Sequence, residues 1–268
     1  MDGLVASLGM YDFPFVAEAN ARLWRAIAGY LRAAGIPAPE ELVAGDPHEV
    51  WTDPRLIFGQ TCGYPLVTSL RDRVAIVATP TYAFDGCDGP NHCSFVVTNI
   101  KSRQRSLAGF EGARAAVNNL DSNSGMNLFR GLLAPLARGR PMFGEVIVTG
   151  SHAASLAAIA AGEADIAAID CVTFGLLRRA RPELFEGVVA IARTQSSPGL
   201  PFVINAGLGE NLTGAVRVAL FAALNEPALA QARADIGLTG ARILEDADYQ
   251  RIVEIERAAA ALGYRQLA

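Results

Sequence analysis

The polar run from Ser122 to Gly125 is the part of this chain whose residue types and spacing point most directly to chemistry. It reads Ser-Asn-Ser-Gly, follows the apolar, strand-like Ala115–Val117 and begins a helical pattern that ends near Ala137. Serine and asparagine cap helix N-termini, where backbone N–H groups lack intrahelical partners and carry partial positive charge. The run predicts either an ordinary capped helix or a site for a compact oxyanion, with Gly125 allowing close backbone approach.

A second helix start has the same character. Ser151 and His152 follow a strand-like segment at 144–149 and begin a helical pattern at 152–161. A histidine in this position can donate a hydrogen bond to an oxyanion whether it is charged or neutral. The alternative is that both side chains only cap the helix.

Four further residues are candidates for the same pocket, each with a simpler alternative. Asp170 follows an apolar strand pattern and can accept a proton from a ligand, or cap the next helix. Asn127 faces the pocket or packs in the first helical turn. Tyr11 and Tyr64 lie in predicted loops and offer an apolar wall with one hydroxyl, or are half-buried aromatic residues at a sheet edge.

The order of predicted elements explains why distant residues should meet. After residue 114 strand and helix patterns alternate, which indicates parallel sheets covered by helices. Polar clusters at 9–12, 60–65, 150–152 and Asp170 all follow predicted strands. Because open α/β sheets bind ligands beyond the carboxyl ends of their strands, we expect one pocket assembled from distant segments.

The composition excludes several classes of function. The chain has 268 residues, a net charge of −4 and no basic stripe, so we expect one large domain or two modest lobes and no nucleic-acid partner. No apolar run is long enough to cross a bilayer, so no direct membrane insertion is expected. The first eight residues lack the basic and apolar regions of a secretion leader, which predicts a cytoplasmic protein, or a periplasmic one whose leader has been removed.

Four cysteines are present: Cys62, Cys87, Cys93 and Cys171. The segment from Cys87 to Cys93 can close as a tight disulfide loop, and its histidine could add a metal ligand. A second ligand pair at zinc-type spacing is missing, so free thiols or a disulfide are favoured over a metal site. We expect no metal and no cofactor.

Three motifs resemble a known family in their order and spacing. They are Cys62–Leu66, Asp121–Asn127 and Thr149–Ser155, the last continuing into Gly162–Asp170. The family is the phosphate, phosphite and phosphonate substrate-binding proteins of ABC transporters (PhnD-like), and the resemblance runs from about Leu4 to Asn205. Its most specific parts are the Ser-x-Ser-Gly and Gly-Ser-His helix starts.

This resemblance implies a type 2 periplasmic-binding-protein fold, an α/β architecture of two lobes. Each lobe would hold a mostly parallel sheet flanked by helices, with the ligand in the cleft between them. Lobe one would comprise 1–97 plus 201–268 and lobe two 98–200. Hinge strands would lie near 94–100 and 188–205.

The resemblance also implies the function and the partners. The chain would be a non-catalytic protein that captures a small phosphorus oxyanion for an ABC-type uptake system, with a transporter permease as partner. A monomer is expected separately, because the apolar periodicity indicates an ample core. The implied ligand-binding residues are Tyr11, Tyr64, Ser122, Asn123, Ser124, Gly125, Asn127, Ser151, His152 and Asp170.

An enzyme or a cytoplasmic sensor on the same fold is the alternative. Cys62, His152 and Asp170 could in principle act as nucleophile, base and orienting group. No nucleophile elbow and no metal motif supports that chemistry, so no catalytic residue is assigned.

Overall fold

A computed structural model describes residues 3–268. Residues 1 and 2, which the sequence places in lobe one, lie outside the described residues. The strands are β1 (Val5–Ala6), β2 (Leu56–Gln60), β3 (Val74–Tyr82), β4 (Cys87–Asp88), β5 (Asn91–His92), β6 (Ser94–Asn99), β7 (Arg114–Val117), β8 (Glu145–Val148), β9 (Ile166–Asp170), β10 (Val188–Arg193), β11 (Ser197–Pro198), β12 (Phe202–Asn205) and β13 (Leu238–Arg242). The α-helices are α1 (Ala17–Ala33), α2 (Pro47–Thr52), α3 (Gly63–Val67), α4 (Leu128–Ala137), α5 (His152–Ala161), α6 (Cys171–Ala180), α7 (Glu210–Asn225), α8 (Ala230–Ile236) and α9 (Asp246–Ala261).

Internal contacts divide the chain into two compact units. Unit one is the chain up to Ala83 together with Gly199–Asp248, and unit two is Phe84–Pro198 together with Tyr249–Ala268. Each unit has a five-stranded sheet and helices, which confirms the predicted α/β class.

The sheet of unit one has the strand order β1-β2-β12-β3-β13. β1 pairs in parallel with β2, whereas β12 is antiparallel to both β2 and β3. β1, β2 and β3 therefore point the same way, and their carboxyl ends share one edge. Trp24 of α1 stacks on Phe58 of β2, which stacks on Phe202 of β12 with ring centroids 5.0 Å apart. This aromatic stack fixes α1 against the sheet.

The sheet of unit two has the order β10-β6-β9-β7-β8. β7 is parallel to both β8 and β9, while β6 is antiparallel to β9 and β10. Four of its five strands therefore run in one direction, so both sheets are mixed rather than wholly parallel. A short sheet of β11, β5 and β4 also belongs to this unit.

These units differ from the predicted lobes at residues 84–97, 199–200 and 249–268. β6 pairs along its whole length with β9 and β10, so residues 84–97 belong to unit two rather than to lobe one. The chain from Tyr249 onward also joins unit two, because Asn127 and Arg130 of that unit donate hydrogen bonds to the carbonyls of Ile252 and Arg265. The hinge near 94–100 and 188–205 stays a prediction.

The predicted elements are confirmed where the apolar pattern is regular. The helix expected at 152–161 and the strand at 188–193 appear with those bounds. β13 is not predicted, because a bulge at Leu238/Gly240 breaks its alternation. Among the described residues, no helix is both long and apolar enough to span a membrane.

The aromatic stack yields a stability prediction. Phe58→Ala should lower the free energy of unfolding by about 3–5 kcal/mol, because the ring is fully buried between two others and its loss leaves a cavity. Phe15→Ala is the matched control, since Phe15 is 39% exposed and should cost about 0.5 kcal/mol. Urea unfolding of both variants makes the comparison, and equal losses would contradict the assigned core.

Candidate functional site

Three helix starts meet at one edge of the sheet in unit two. β7, β8 and β9 are parallel neighbours, and each is followed by a helical segment at its carboxyl end. β7 leads into a π-helical turn at Asn123–Asn127 that continues as α4, β8 leads into α5, and β9 leads into α6. This edge therefore collects backbone N–H groups that have no intrahelical partner, along with the positive ends of the helix dipoles.

The π-helical turn is built from the predicted Ser-Asn-Ser-Gly run. Ser122 is its N-cap, and the hydroxyl oxygen of Ser122 accepts a hydrogen bond of 3.0 Å from the amide of Gly125. The amide of Asn127 donates to the carbonyl of Ser122 five residues earlier, which widens the turn. Such turns are frequent at functional sites. Because a hydroxyl that accepts one bond can still donate its own hydrogen, capping leaves the O–H of Ser122 available.

A hydrogen bond joins the first helix start to the second. The hydroxyl oxygen of Ser124 lies 2.9 Å from Nε2 of His152, the first residue of α5. Ser151 caps α5 by accepting a bond from the amide of Ala154, and its side chain is exposed. The structure thus joins the two helix starts through Ser124 and His152, while a ligand site shared by Ser122, Ser124, Ser151 and His152 stays a prediction.

His152 is a neutral imidazole at physiological pH. Burial lowers the pKa of His152 to about 4, and the favourable charge of Asp170 and the carbonyl of Ala168 oppose this shift only in part. The nearby His92 lowers the pKa further. A neutral ring can serve as donor or acceptor at Nε2, according to its tautomer.

Position 125 has no room for a side chain, because neighbouring side chains pack closely against Gly125. A Cβ atom at this position would lie 1.8 Å from the side-chain oxygen of Asn118 and 3.1 Å from Cε1 of His152. The missing side chain therefore lets Asn118 and His152 approach the turn. Asn118 immediately follows β7 and belongs to the polar stretch around Ser122, although its contact with Gly125 has no separate signal in the sequence.

The side chains of the two asparagines in the turn form hydrogen bonds within unit two. Asn123 donates from its side chain to the hydroxyl of Ser197 at 2.9 Å. Asn127 donates to the side-chain oxygen of Asn123 and to the carbonyl of Ile252, and accepts from Arg130 at 2.6 Å. Neither side chain is exposed. For Asn127, these bonds favour packing, which is one of the two alternatives left open by the sequence.

Asp170 acts as the cap of α6. Its Oδ1 accepts a 2.8 Å bond from the amide of Thr173, and its Oδ2 lies 2.9 Å from Nδ1 of His92. Burial alone would raise the pKa of Asp170, but the hydrogen bond and charge of His92, with His152 and the Thr173 amide, hold that pKa below its usual value. His92 was expected only as a metal ligand. Its pairing with Asp170 follows from the register of β6 and β9, because Ser94, two residues after His92, lies opposite Asp170.

The two predicted tyrosines lie in unit one. Tyr11 follows β1 and Tyr64 lies in α3 after β2, so both come after the carboxyl ends of parallel strands. The ring of Tyr11 packs edge-on against Tyr82 at 5.6 Å, and the hydroxyl of Tyr82 accepts a bond from Gln60. Tyr11, Gln60 and Tyr82 line a cavity of about 10 Å³, which has room for no more than one water molecule. A contact between either tyrosine and a ligand stays a prediction.

The remaining donor groups do not assemble a metal centre. Among residues 3–268, no group of three or more His, Cys, Asp or Glu side chains is arranged to hold a metal ion. The four cysteines are free thiols.

Comparison with models of protein families shows to which family the chain belongs. Residues 58–249, more than half of its length, match the model of the family described as the phosphonate-binding, periplasmic substrate-binding protein of ABC transporters. The chain belongs to this family. The resemblance seen in the helix-start motifs is thereby confirmed, and the chain is a member of a family of substrate-binding proteins. A search of curated proteins found no match.

Solved structures support the fold. A binding-protein component of an ABC phosphonate transporter from Pseudomonas aeruginosa is 17% identical, with a TM-score of 0.75 over 97% of this chain and 88% of that one. PhnD1 from Prochlorococcus marinus in complex with methylphosphonate is 15% identical, with a TM-score of 0.73 over 95% and 97%. A protein from Xanthomonas citri bound to ATP is 19% identical, with a TM-score of 0.74 over 97% of both chains. At these identities the likeness establishes the type 2 periplasmic-binding-protein fold alone.

The depressed pKa of His152 predicts acid sensitivity of the folded state. The unfolded chain takes up this proton near its ordinary pKa of 6.5, whereas the folded chain takes it up only near 4. The free energy of unfolding should therefore fall as the pH drops from about 6.5 to about 4, by at most about 3 kcal/mol. Urea titrations across this range measure the slope. His152→Gln removes the titrating group, so the dependence of the free energy of unfolding on pH should become weaker in this variant. An unchanged dependence would contradict the burial of a neutral His152.

Proposed function

We propose that the chain captures a small phosphorus oxyanion, namely phosphate, phosphite or a phosphonate, for an ABC-type uptake system. The observation that carries this proposal is the hydrogen bond between Ser124 and His152, which links two helix starts at one sheet edge. Because the hydroxyl of Ser124 and the imidazole of His152 are both neutral, they can exchange their mutual hydrogen bond for bonds to a ligand, and no unpaired charge is left behind. The backbone amides of the same turns then supply further donors.

The proposed donors are neutral. No lysine or arginine lies within either helix-start motif. Arg130, one turn into α4, is buried and bonds to the side chain of Asn127 and the carbonyl of Arg265. Neutral donors in fixed positions discriminate between anions by shape and by the number of hydrogen bonds rather than by charge alone, which suits reversible and selective capture.

The residues proposed for the ligand site divide into three groups. Ser122, Ser124, Ser151 and His152 would donate from their side chains, and Gly125 would contribute through its position in the turn. Asn123, Asn127 and Asp170 would shape the site, since their side chains are bonded within unit two. Tyr11 and Tyr64 of unit one are further proposed ligand-binding residues, each offering an apolar ring and one hydroxyl.

The proposed partner is the permease of an ABC transporter, as in the family to which the chain belongs. Because the family is described as periplasmic, we propose that the mature protein works in the periplasm. We propose that it works as a monomer, with each copy capturing one ligand.

Single hydroxyl variants test the proposed donors. Ser124→Ala should weaken binding of methylphosphonate or phosphate by about 10–100-fold in calorimetric titration, because a hydrogen bond to a charged ligand contributes about 1.5–3 kcal/mol. The titrations use protein that has been unfolded and refolded to remove bound ligand, with phosphite, 2-aminoethylphosphonate and sulfate completing the panel.

Ser106→Ala is the matched control for the capping role. Ser106 caps another helical turn and accepts a bond from Gly109, just as Ser122 accepts one from Gly125. Ser106→Ala should bind like the wild type, whereas Ser122→Ala should bind more weakly. If Ser122→Ala and Ser124→Ala both bound the ligand with wild-type affinity, the assignment of this helix start to the ligand site would be wrong.

We propose further that the bound ligand is not chemically changed. The side chain of Asp170 is paired with Thr173 and His92, so this carboxylate is not placed to take a proton from the ligand. Phosphorus NMR should show the phosphonate unaltered after prolonged incubation with a stoichiometric amount of protein. Release of phosphate by the wild type but not by His152→Ala would establish an enzyme instead.

A further inference from the structure

Three of the four cysteines form a cluster within unit two. The sulfur atoms of Cys87 and Cys171 lie 3.4 Å apart. Cys93 adjoins Cys171, because the amide of Cys171 donates to the carbonyl of Cys93 at 3.1 Å and Ser94 pairs with Asp170 in the sheet. Cys62 belongs to unit one and takes no part in the cluster.

The backbone holds this cluster together without spare room. Gly86 has a φ of +90°, and a Cβ atom there would lie 2.8 Å from Cβ of Cys171 and 3.0 Å from the sulfur of Cys93. Only glycine allows the chain to pass this close to both side chains. The amide of Cys93 also donates to the carbonyl of Gly86, which fixes the hairpin of β4 and β5 over the start of α6.

The three thiols differ in access and reactivity. Cys87 is half-buried, whereas Cys93 is 6% exposed and Cys171 is fully buried. The hydrogen bond with Cys171 and then burial raise the pKa of Cys93, while the hydrogen bond with Cys87 and burial raise the pKa of Cys171 against a lowering by Cys93. Cys87 is therefore the thiol that an external oxidant reaches first.

We propose that Cys87 and Cys171 are a redox-active pair that closes into a disulfide when the protein meets a disulfide oxidant. The distance of 3.4 Å between the sulfur atoms of Cys87 and Cys171 in the reduced protein points to this pair rather than to Cys87 with Cys93. The proposal does not depend on the identity of the ligand bound at the helix starts.

The reaction is a pair of thiol–disulfide exchanges. With oxidised glutathione as the oxidant, the Cys87 thiolate attacks one glutathione sulfur, forms a mixed disulfide and releases one glutathione thiolate. The sulfur of Cys171 then attacks the sulfur of Cys87 and breaks its bond to glutathione, and the proton of the Cys171 thiol passes to the departing glutathione thiolate. Two protein thiols are oxidised to one disulfide, and one glutathione disulfide is reduced to two thiols.

The bond would connect the hairpin to the first residue of α6. It spans 84 positions of the chain, and a covalent closure of that length restricts the unfolded chain strongly. A family described as periplasmic works in an oxidising compartment, where such bonds form and persist. Oxidation should therefore stabilise unit two.

The test is incubation of the reduced, full-length protein with oxidised glutathione, followed by alkylation and mass spectrometry of the intact protein and its peptides. The expected result is a loss of two hydrogens, two alkylated cysteines at positions 62 and 93, and a peptide cross-link between Cys87 and Cys171. The melting temperature should rise by roughly 5–15 °C over the reduced protein.

Three variants keep the assignment falsifiable. Cys62→Ser and Cys93→Ser should still form the cross-link, while Cys171→Ser should stop at glutathione bound to Cys87. If Cys171→Ser does not fold, the peptide map of the wild type still decides. Four alkylated thiols after oxidation, or a cross-link that includes Cys93, would overturn the proposal.

Discussion

The hydrogen bond between Ser124 and His152 is the interaction on which the site in unit two depends. It joins the turn after β7 to the start of α5 across neighbouring parallel strands. Ser124 is buried and His152 is half-buried, and a buried polar group without a partner is costly. The hydrogen bond between Ser124 and His152 gives each group a partner in the ligand-free protein. A bound oxyanion can take the place of either partner and accept a hydrogen bond from the other group.

The surrounding polar groups hold these two side chains in place. Ser94 donates to the carbonyl of Ser124, and Asn123 donates to Ser197, so the turn is anchored to β6 and β11. Asp170 fixes the third helix start and is itself balanced by His92. Because each of these bonds is made inside one unit, the donors are positioned before any ligand arrives, which is the condition for selective binding.

The sequence predicts the helix starts well and the polar network poorly. Ser122, Ser151 and Asp170 could be identified as caps because capping depends on local sequence and on the strand pattern just before it. The role of His92 depends on strand register, and the role of Asn127 depends on a contact with Ile252, which is distant in the chain. The same limit explains why residues 249–268 were expected in lobe one, since only tertiary contacts place them in unit two.

A backbone amide titration by NMR tests the central claim most directly. Isotope-labelled protein, freed of ligand by refolding, would be titrated with methylphosphonate while the amide signals are followed. The account predicts saturable shifts at residues 123–125 and 152–154, with the same signals lost or weakened in Ser124→Ala. Shifts confined to other segments, or none at all, would contradict the assignment of the two helix starts as the oxyanion site.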